Sequence, residues 1–194
     1  HATLASARAA CNPCEQLGRA GFVCRSALKL ANLAALCDFE LCSGTFVDVC
    51  AAPGGFSEYL VFRGATGFAM SLAGENSDGV GLDRRVSSVQ WVDGDGTGDI
   101  YKRANADELA RRAFPASLVV ADGGFDACRD VDDQDAALGR LAVCETAVAI
   151  ASLGHNGNFV LKLFLPLACA ATCAVLATAH VLFSRLALVK PDAS

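Results

Sequence analysis

Residues 46–60 read FVDVCAAPGGFSEYL, and this stretch restricts the fold more than any other. A β-branched, apolar run ends in a turn of small residues with two adjacent glycines, and a helix-like segment follows at once. Gly54 and Gly55 permit backbone angles and a close approach that a Cβ would block. A buried strand that turns straight into a helix opens a βα unit, and the rest of the chain continues the alternation. A helix-like segment from Ser26 to about Leu36 comes first. Strands fit residues 45–50, 66–72, 89–92, 117–124, 157–164 and 182–189; helices fit 56–63, 105–114 with Asn105 as N-cap, about 134–152, and 166–180. The polar start (1–20), residues 73–87 and DGDGTGD at 93–99 read as loops, because Gly and Asp favour turns.

This pattern predicts an α/β chain, 1–194 in one domain, with a mostly parallel sheet and helices on both faces. Ligands of such sheets bind beyond the carboxyl ends of the strands, where strand order reverses. Four segments should therefore face one pocket: the AAPGG turn, Asp93 to Asp99, Asp122 to Phe125, and Lys162 to Phe164.

Composition removes several classes. A hydrophobic content of 53 % argues against disorder, and a net charge of −5 argues against nonspecific coating of nucleic acid. The 16 Lys and Arg residues are unevenly placed and leave room for a local basic groove. Cys24, Cys37, Cys50, Cys144, Cys169 and Cys173 lie mostly in apolar runs, as buried thiols of a reducing compartment do. Cys11 and Cys14 form a CxxC with no second pair or nearby histidine, so no metal is expected. The first residue is His1, which suggests a piece of a longer chain. Residues 163–184 contain no Asp, Glu, Lys or Arg and are long enough to span a bilayer. Their Ala, Cys and Thr content gives little insertion energy, and a buried helix between two strands is expected instead.

The glycine turn lacks the G-x-G-x-x-G spacing of a dinucleotide site, and no acid precedes Glu75 to hold a ribose. No lysine follows the glycines, so it is not a P-loop. A cationic ligand suits it better. S-adenosylmethionine carries a sulfonium and an amino acid moiety that exposed carbonyls beside Asp48 could accept. A tight strand-to-helix turn with no ligand remains the alternative.

Several stretches in order resemble one family. DVCAAPGGFSEYL resembles the cofactor motif of the FtsJ-like ribose 2′-O-methyltransferases, and the eukaryotic mRNA cap-1 branch is the closest match. NPCEQLGRAGFVCRSALKLANL is similar to that branch's opening segment, GFAMSL to its second strand and DGDGTGDI to its third-strand loop. VVADGGF and GNFVLKLF resemble the fourth- and fifth-strand motifs. The resemblance covers about residues 10–190. It implies a Rossmann-like methyltransferase fold that uses S-adenosyl-L-methionine.

By motif position the resemblance implies Lys29, Asp122 and Lys162 as three members of a K-D-K-E catalytic tetrad. The chemistry is consistent, because a ribose 2′-hydroxyl is a poor nucleophile that must be aligned and lose its proton. Alignment alone contributes ~7–11 kcal/mol in well-oriented systems. Lys162, between Leu161 and Leu163, is expected to act as base or orienting partner, with Lys29 and Asp122 setting its position. The resemblance also implies cofactor contacts at Asp48, Ala51, Pro53, Gly54, Gly55, Phe56, Asp99 and Asp122, with Asp93 and Asp95 competing for the role of Asp99. The family's glutamate follows a sixth strand. No residue here matches it, neither Glu58 nor Glu145 fills the role by position, and the last strand of the fold is expected to be absent.

RNA recognition needs phosphate neutralisation and flat stacking surfaces. Arg25, Lys29 and Arg63 are the candidates near the pocket. Arg84, Arg85, Lys102, Arg103, Arg111 and Arg112 read as solvated charges, and Trp91 as core. The implied substrate is the capped mRNA 5′ end, with capping or transcription proteins as partners and the nucleus as location. Alternatives are an rRNA or tRNA ribose methyltransferase, or an inactive domain that binds cofactor or RNA.

Overall fold

In the computed structural model the described residues are 21–37, 44–73, 86, 88–124, 131–164 and 169–192. The elements run α1 (Ser26–Cys37), β1 (Thr45–Val49), α2 (Gly55–Phe62), β2 (Thr66–Met70), β3 (Gln90–Trp91), α3 (Arg103–Ala113), β4 (Ala116–Ala121), α4 (Val131–Ser152), β5 (Leu153–Leu161) and α5 (Ala170–Leu182). The strands form one sheet in the order β3-β2-β1-β4-β5, and every pairing is parallel. From β1 the chain steps outward to β2 and β3, then returns to β4 on the other side. Strand order therefore reverses between β1 and β4, whose last residues Val49 and Ala121 are paired.

Strand periodicity assigns each side chain to a layer. Phe46 on β1 and Leu118 and Val120 on β4 pack with Ala27 and Leu30 of α1 and with Phe56, Tyr59 and Leu60 of α2. The alternate residues, Val47, Val49, Val119 and Ala121, pack with Leu109 and Ala113 of α3 and with Leu141, Val148 and Ala149 of α4. Both faces are covered, which is why the strands are near-continuous apolar runs. The predicted α/β class holds.

Three expectations change. Helix α3 starts at Arg103, with Lys102 at its N-cap position. Asn105 is buried in the first turn, where its side chain holds the preceding loop instead of capping. Strand β5 begins at Leu153, straight after α4. Gly154, Asn156 and Gly157 are turn formers, yet they are absorbed as an irregularity inside the strand, with Asn156 at φ 63°. Finally, residues 182–189 form no strand. Leu182 ends α5, and residues 183–189 follow it as irregular chain with Leu186 and Leu188 exposed; among the described residues no neighbouring strand offers them a ladder.

Helix α5 packs along α4, burying only Thr172, Val175 and Ala179 on one face. It is thus a surface helix rather than one buried between strands. Most of the other face carries small Ala, Cys and Thr side chains, with Val181 and Leu182 exposed at its end. Among the described residues no helix is long and apolar enough to cross a membrane. Cys11, Cys14, Arg84, Arg85, Phe125 and most of the 73–87 loop lie outside the described residues.

Candidate active site

The crevice at the β1/β4 reversal is built from two neighbouring turns. The first, Cys50 to Gly54, leaves β1. Cys50 has φ 61° and Gly54 φ 102°, so two left-handed residues bend the chain sharply into α2. Gly54 supplies no side-chain cap to that helix. Asp48 does so instead: its Oδ2 accepts the Ser57 amide at 2.9 Å and the Ser57 hydroxyl at 2.6 Å, satisfying an orphan donor of the first turn. Asp48 is 1 % exposed, and burial pushes its carboxyl up to about 7 despite those two hydrogen bonds.

Gly55 has a different purpose from the one its sequence context suggests. A Cβ there would run into Ser26 Oγ, Cys24 Sγ and the Ala27 amide, so this glycine lets α2 pack against the start of α1. The same junction is tied by Glu58, which accepts the Val23 amide at 2.6 Å, and by Phe22 packed edge-on against Tyr59 and Phe62. Close packing of α1 on α2 carries Lys29 to the crevice.

The second turn, Asp122 to Gly124, leaves β4. Lys162 follows β5, and its amide donates to the Ala121 carbonyl at 2.9 Å, which continues the ladder by one residue. Its Nζ donates to the Asp122 carbonyl at 2.7 Å and lies 2.8 Å from Asp122 Oδ1. Lys29 Nζ reaches Asp122 Oδ2 from the other side at 3.4 Å. Three chain segments thus bring two ammonium groups to one carboxylate. Asp122 Oδ1 is buried, with Lys162 Nζ 2.8 Å away as its ion-pair partner and no aligned hydrogen bond among the described residues. Its second lone pair can take a ligand donor.

A cleft of about 220 Å³ lies between the turns, lined by Cys24, Ser26, Lys29, Asp48, Cys50, Ala51, Ala52, Pro53, Phe56 and Asp122. Of the residues expected at a cofactor, Asp48, Ala51, Pro53, Phe56 and Asp122 line it. Gly54 and Gly55 do not; they shape the backbone behind it. Asp99 does not line it either. Its Oδ1 accepts the Tyr101 amide at 2.9 Å, which turns the carboxylate back on its own loop. That loop is an internal network: Asn105 donates to Asp95 Oδ1 at 3.0 Å and to the Asp99 carbonyl at 3.1 Å, and Lys102 pairs with Asp95 at 2.7 Å. Thr97 and Lys102 together hold the Asp95 carboxyl well below the usual carboxylate range.

Arg63 is not at the crevice. It follows the last residue of α2, roughly 12 Å from the end that meets the cleft, and lies over Tyr59 with Nη1 donating to the phenol at 3.1 Å. Arg103 and Arg112 make exposed i,i+4 ion pairs with Asp107 and Glu108. Trp91 packs at the margin of the core. Glu145, set aside in the sequence as not matching the family's glutamate, lies close to the site. Glu145 of α4 is 1 % exposed beneath the crevice, and its Oε1 accepts the Gly123 amide at 3.2 Å. A signal existed: Glu145 is the only Asp, Glu, Lys or Arg between Arg140 and Lys162.

A parallel sheet with this strand order and a ligand crevice at the β1/β4 switch defines an α/β methyltransferase fold. The chain belongs to the FtsJ-like methyltransferase family, which matches residues 22–194. It is 29 % identical to the cap-specific mRNA (nucleoside-2′-O-)-methyltransferase 1 of Drosophila melanogaster, over 97 % of this chain and 27 % of that protein. The Caenorhabditis elegans protein of the same name is 30 % identical over 83 % of this chain and 22 % of its own length. An inactive cap-specific methyltransferase 1B of Caenorhabditis briggsae is also 30 % identical, over 81 % of this chain and 24 % of its own. The chain therefore spans about a quarter of the length of these relatives. Among solved structures, a putative ribosomal RNA methyltransferase of Plasmodium falciparum superposes with a TM-score of 0.61 at 15 % identity, covering 86 % of this chain and 90 % of that one. This likeness supports the fold.

Proposed function

We propose that this domain transfers a methyl group from S-adenosyl-L-methionine to the ribose 2′-hydroxyl of the first transcribed nucleotide of capped mRNA. The observation that carries the reading is the meeting of Lys29, Asp122 and Lys162 at the edge of a cleft walled by a second carboxyl, Asp48. The residues suit the cofactor, since two acids line the cleft and Asp122 keeps acceptor capacity beyond its two lysine partners for an ammonium or hydroxyl donor. When bound, S-adenosylmethionine supplies a methyl group on a positively charged sulfur. Asp122 favours that charge, and the AAP turn seats it against small side chains and Phe56.

Lys29 and Lys162 hold the acceptor oxygen in line. Lys162 Nζ, in its neutral amine form, takes the hydroxyl proton as the O–C bond forms and the sulfur–methyl bond breaks. Asp122 fixes both side-chain nitrogens, and Phe164, 52 % exposed with its ring 4.7 Å from Lys162 Nζ, walls the acceptor side. The cap-specific relatives support the choice of capped mRNA as substrate. A second reading, binding without transfer, draws on the C. briggsae relative whose name marks it inactive.

The test compares methyl transfer to a capped transcript with an unmethylated first nucleotide and to an uncapped rRNA fragment. Transfer to the capped RNA alone is expected, and Lys162→Ala should lower it by at least ~10²-fold while cofactor affinity stays within a few-fold. Equal transfer to both RNAs refutes the cap assignment. Undiminished turnover in Lys162→Ala refutes the role of the lysine, and cofactor binding without transfer supports the second reading.

A further inference from the structure

Glu145 is one of two acids only 1 % exposed among the described residues, the other being Asp48, and nothing in the proposed reaction uses it. Its carboxyl sits under both turns of the crevice at once. Oε1 accepts the amide of Gly123, the residue after Asp122, at 3.2 Å. Cys50, the left-handed residue that starts the AAP turn, packs against the same spot: its Cβ and the Glu145 carboxyl both border the space at Gly123. The fit is tight. A Cβ at Gly123 would strike the Glu145 carboxyl, Leu141 and Cys50 Cβ, so that glycine is where the two turns and α4 converge. Glu145 also shares a small cavity of about 20 Å³ with Lys162, Gly123 and Thr172, so the carboxyl and the ammonium face one space.

We propose that Glu145 is a positioning residue for methyl transfer: one buried carboxyl ties the cofactor-side turn at Cys50 to the catalytic turn at Gly123 and so sets the spacing between them. This rests on the reading of the crevice as a methyltransferase site. Positioning of this kind matters because a misplacement of ~1 Å at the reacting atoms can lower the rate ~10²-fold. The clamp depends on protonation, because a carboxylate enclosed at 1 % exposure with the Gly123 amide as its donor would have to admit water on ionising.

Burial pushes Glu145 up to about 8, against the opposing pull of the Gly123 amide, the Lys162 ammonium and the Cys50 thiol, with Asp122 adding to the rise. The other groups that face it are Tyr101 and, on its own helix, Cys144, both ordinarily neutral at pH 7. Burial and the Glu145 carboxylate both push the Cys50 thiol upward, so the thiol stays protonated and available as a donor. Ionisation of Glu145 would enclose a second negative charge beside Asp122. Glutamine keeps the shape, one acceptor and one donor, and cannot ionise.

The experiment follows kcat and cofactor KM from pH 6 to 9 in wild type, Glu145→Gln and Glu145→Leu, with the Gly123 amide ¹H–¹⁵N shift recorded over the same range. Glu145→Gln is expected to match wild type at pH 6–7. At pH 9 wild type should fall about tenfold behind it, the fraction expected for a group that ionises near 8. Glu145→Leu should lose ~10²-fold in kcat if it folds. The Gly123 amide should titrate with a midpoint near 8 in wild type and stay flat in Glu145→Gln. A constant wild-type-to-Gln ratio across the range, or a flat Gly123 amide in wild type, overturns the clamp. Absence of methyl transfer by wild type with the Gly123 titration intact counts against the enzymatic reading while the clamp between the turns stands.

Discussion

Asp48→Asn tests whether the turn is held by a neutral or a charged acid. Asp48 is fully enclosed, and burial raises it from 3.8 to about 7 in the folded chain. Between those limits the folded protein binds a proton that the unfolded chain has released. Stability from this group is therefore fully present below about pH 4, declines as pH rises, and levels off above about 7. At ~1.4 kcal/mol per pH unit, an interval of about three units corresponds to about 4 kcal/mol. That is a large share of the 5–15 kcal/mol typical of a domain.

Asparagine offers Oδ1 to the Ser57 amide and hydroxyl as Asp48 Oδ2 does, so the helix cap survives while titration is lost. Urea unfolding of both proteins at pH 4, 5.5 and 7 should show wild type losing about 4 kcal/mol relative to the variant across the series. Glu145 titrates in both proteins, so only the difference between them is diagnostic. Parallel stability profiles, with the difference constant within ~0.5 kcal/mol, would refute the assignment of a buried, protonated Asp48.

Gly55→Ala forces a methyl group into Ser26, Cys24 and the Ala27 amide, and overpacking of this kind is destabilising by ~1–3 kcal/mol. Thermal unfolding should shift down by roughly 2–4 °C per kcal/mol, and an unchanged Tm would return the glycine to a ligand role. Asn105→Ala removes the donor to Asp95 and the Asp99 carbonyl and the acceptor of the Asp95 amide, leaving two partly buried backbone groups unpaired. A loss of ~1–2 kcal/mol is expected, with increased hydrogen exchange at 94–101; protected amides there would show that the loop is held by other contacts.

Much of this arrangement was readable because its cause is local. FVDV and SLVVA are short apolar runs that end abruptly at Cys50 and Asp122, and parallel strands buried on both faces must be written that way. Lys29, Asp122 and Lys162 could be singled out by their positions within motifs, though no periodicity links residues so far apart. The misreadings share a physical origin. Gly154, Asn156 and Gly157 carry turn chemistry, but pairing with β4 kept them in a bulged strand. The LALV run at 186–189 has strand composition, but composition cannot supply a partner ladder. Asp99 carries the right charge near the right loop, yet the Tyr101 amide is a nearer partner than anything in the cleft.

The amino-acid order by itself determined the alternation of strand and helix, the side of the sheet each strand residue faces, and the ends at which polar groups collect. Those properties follow from backbone periodicity and from burying apolar side chains, which act within a few residues of each other. Only the tertiary structure decided that Asp48 caps a helix from below, that Gly55 yields to Ser26 and Cys24, and that Glu145 reaches both turns. Each depends on atoms distant in the chain meeting within a few ångströms, and enclosure by the whole fold is what shifts an acid from charged to neutral.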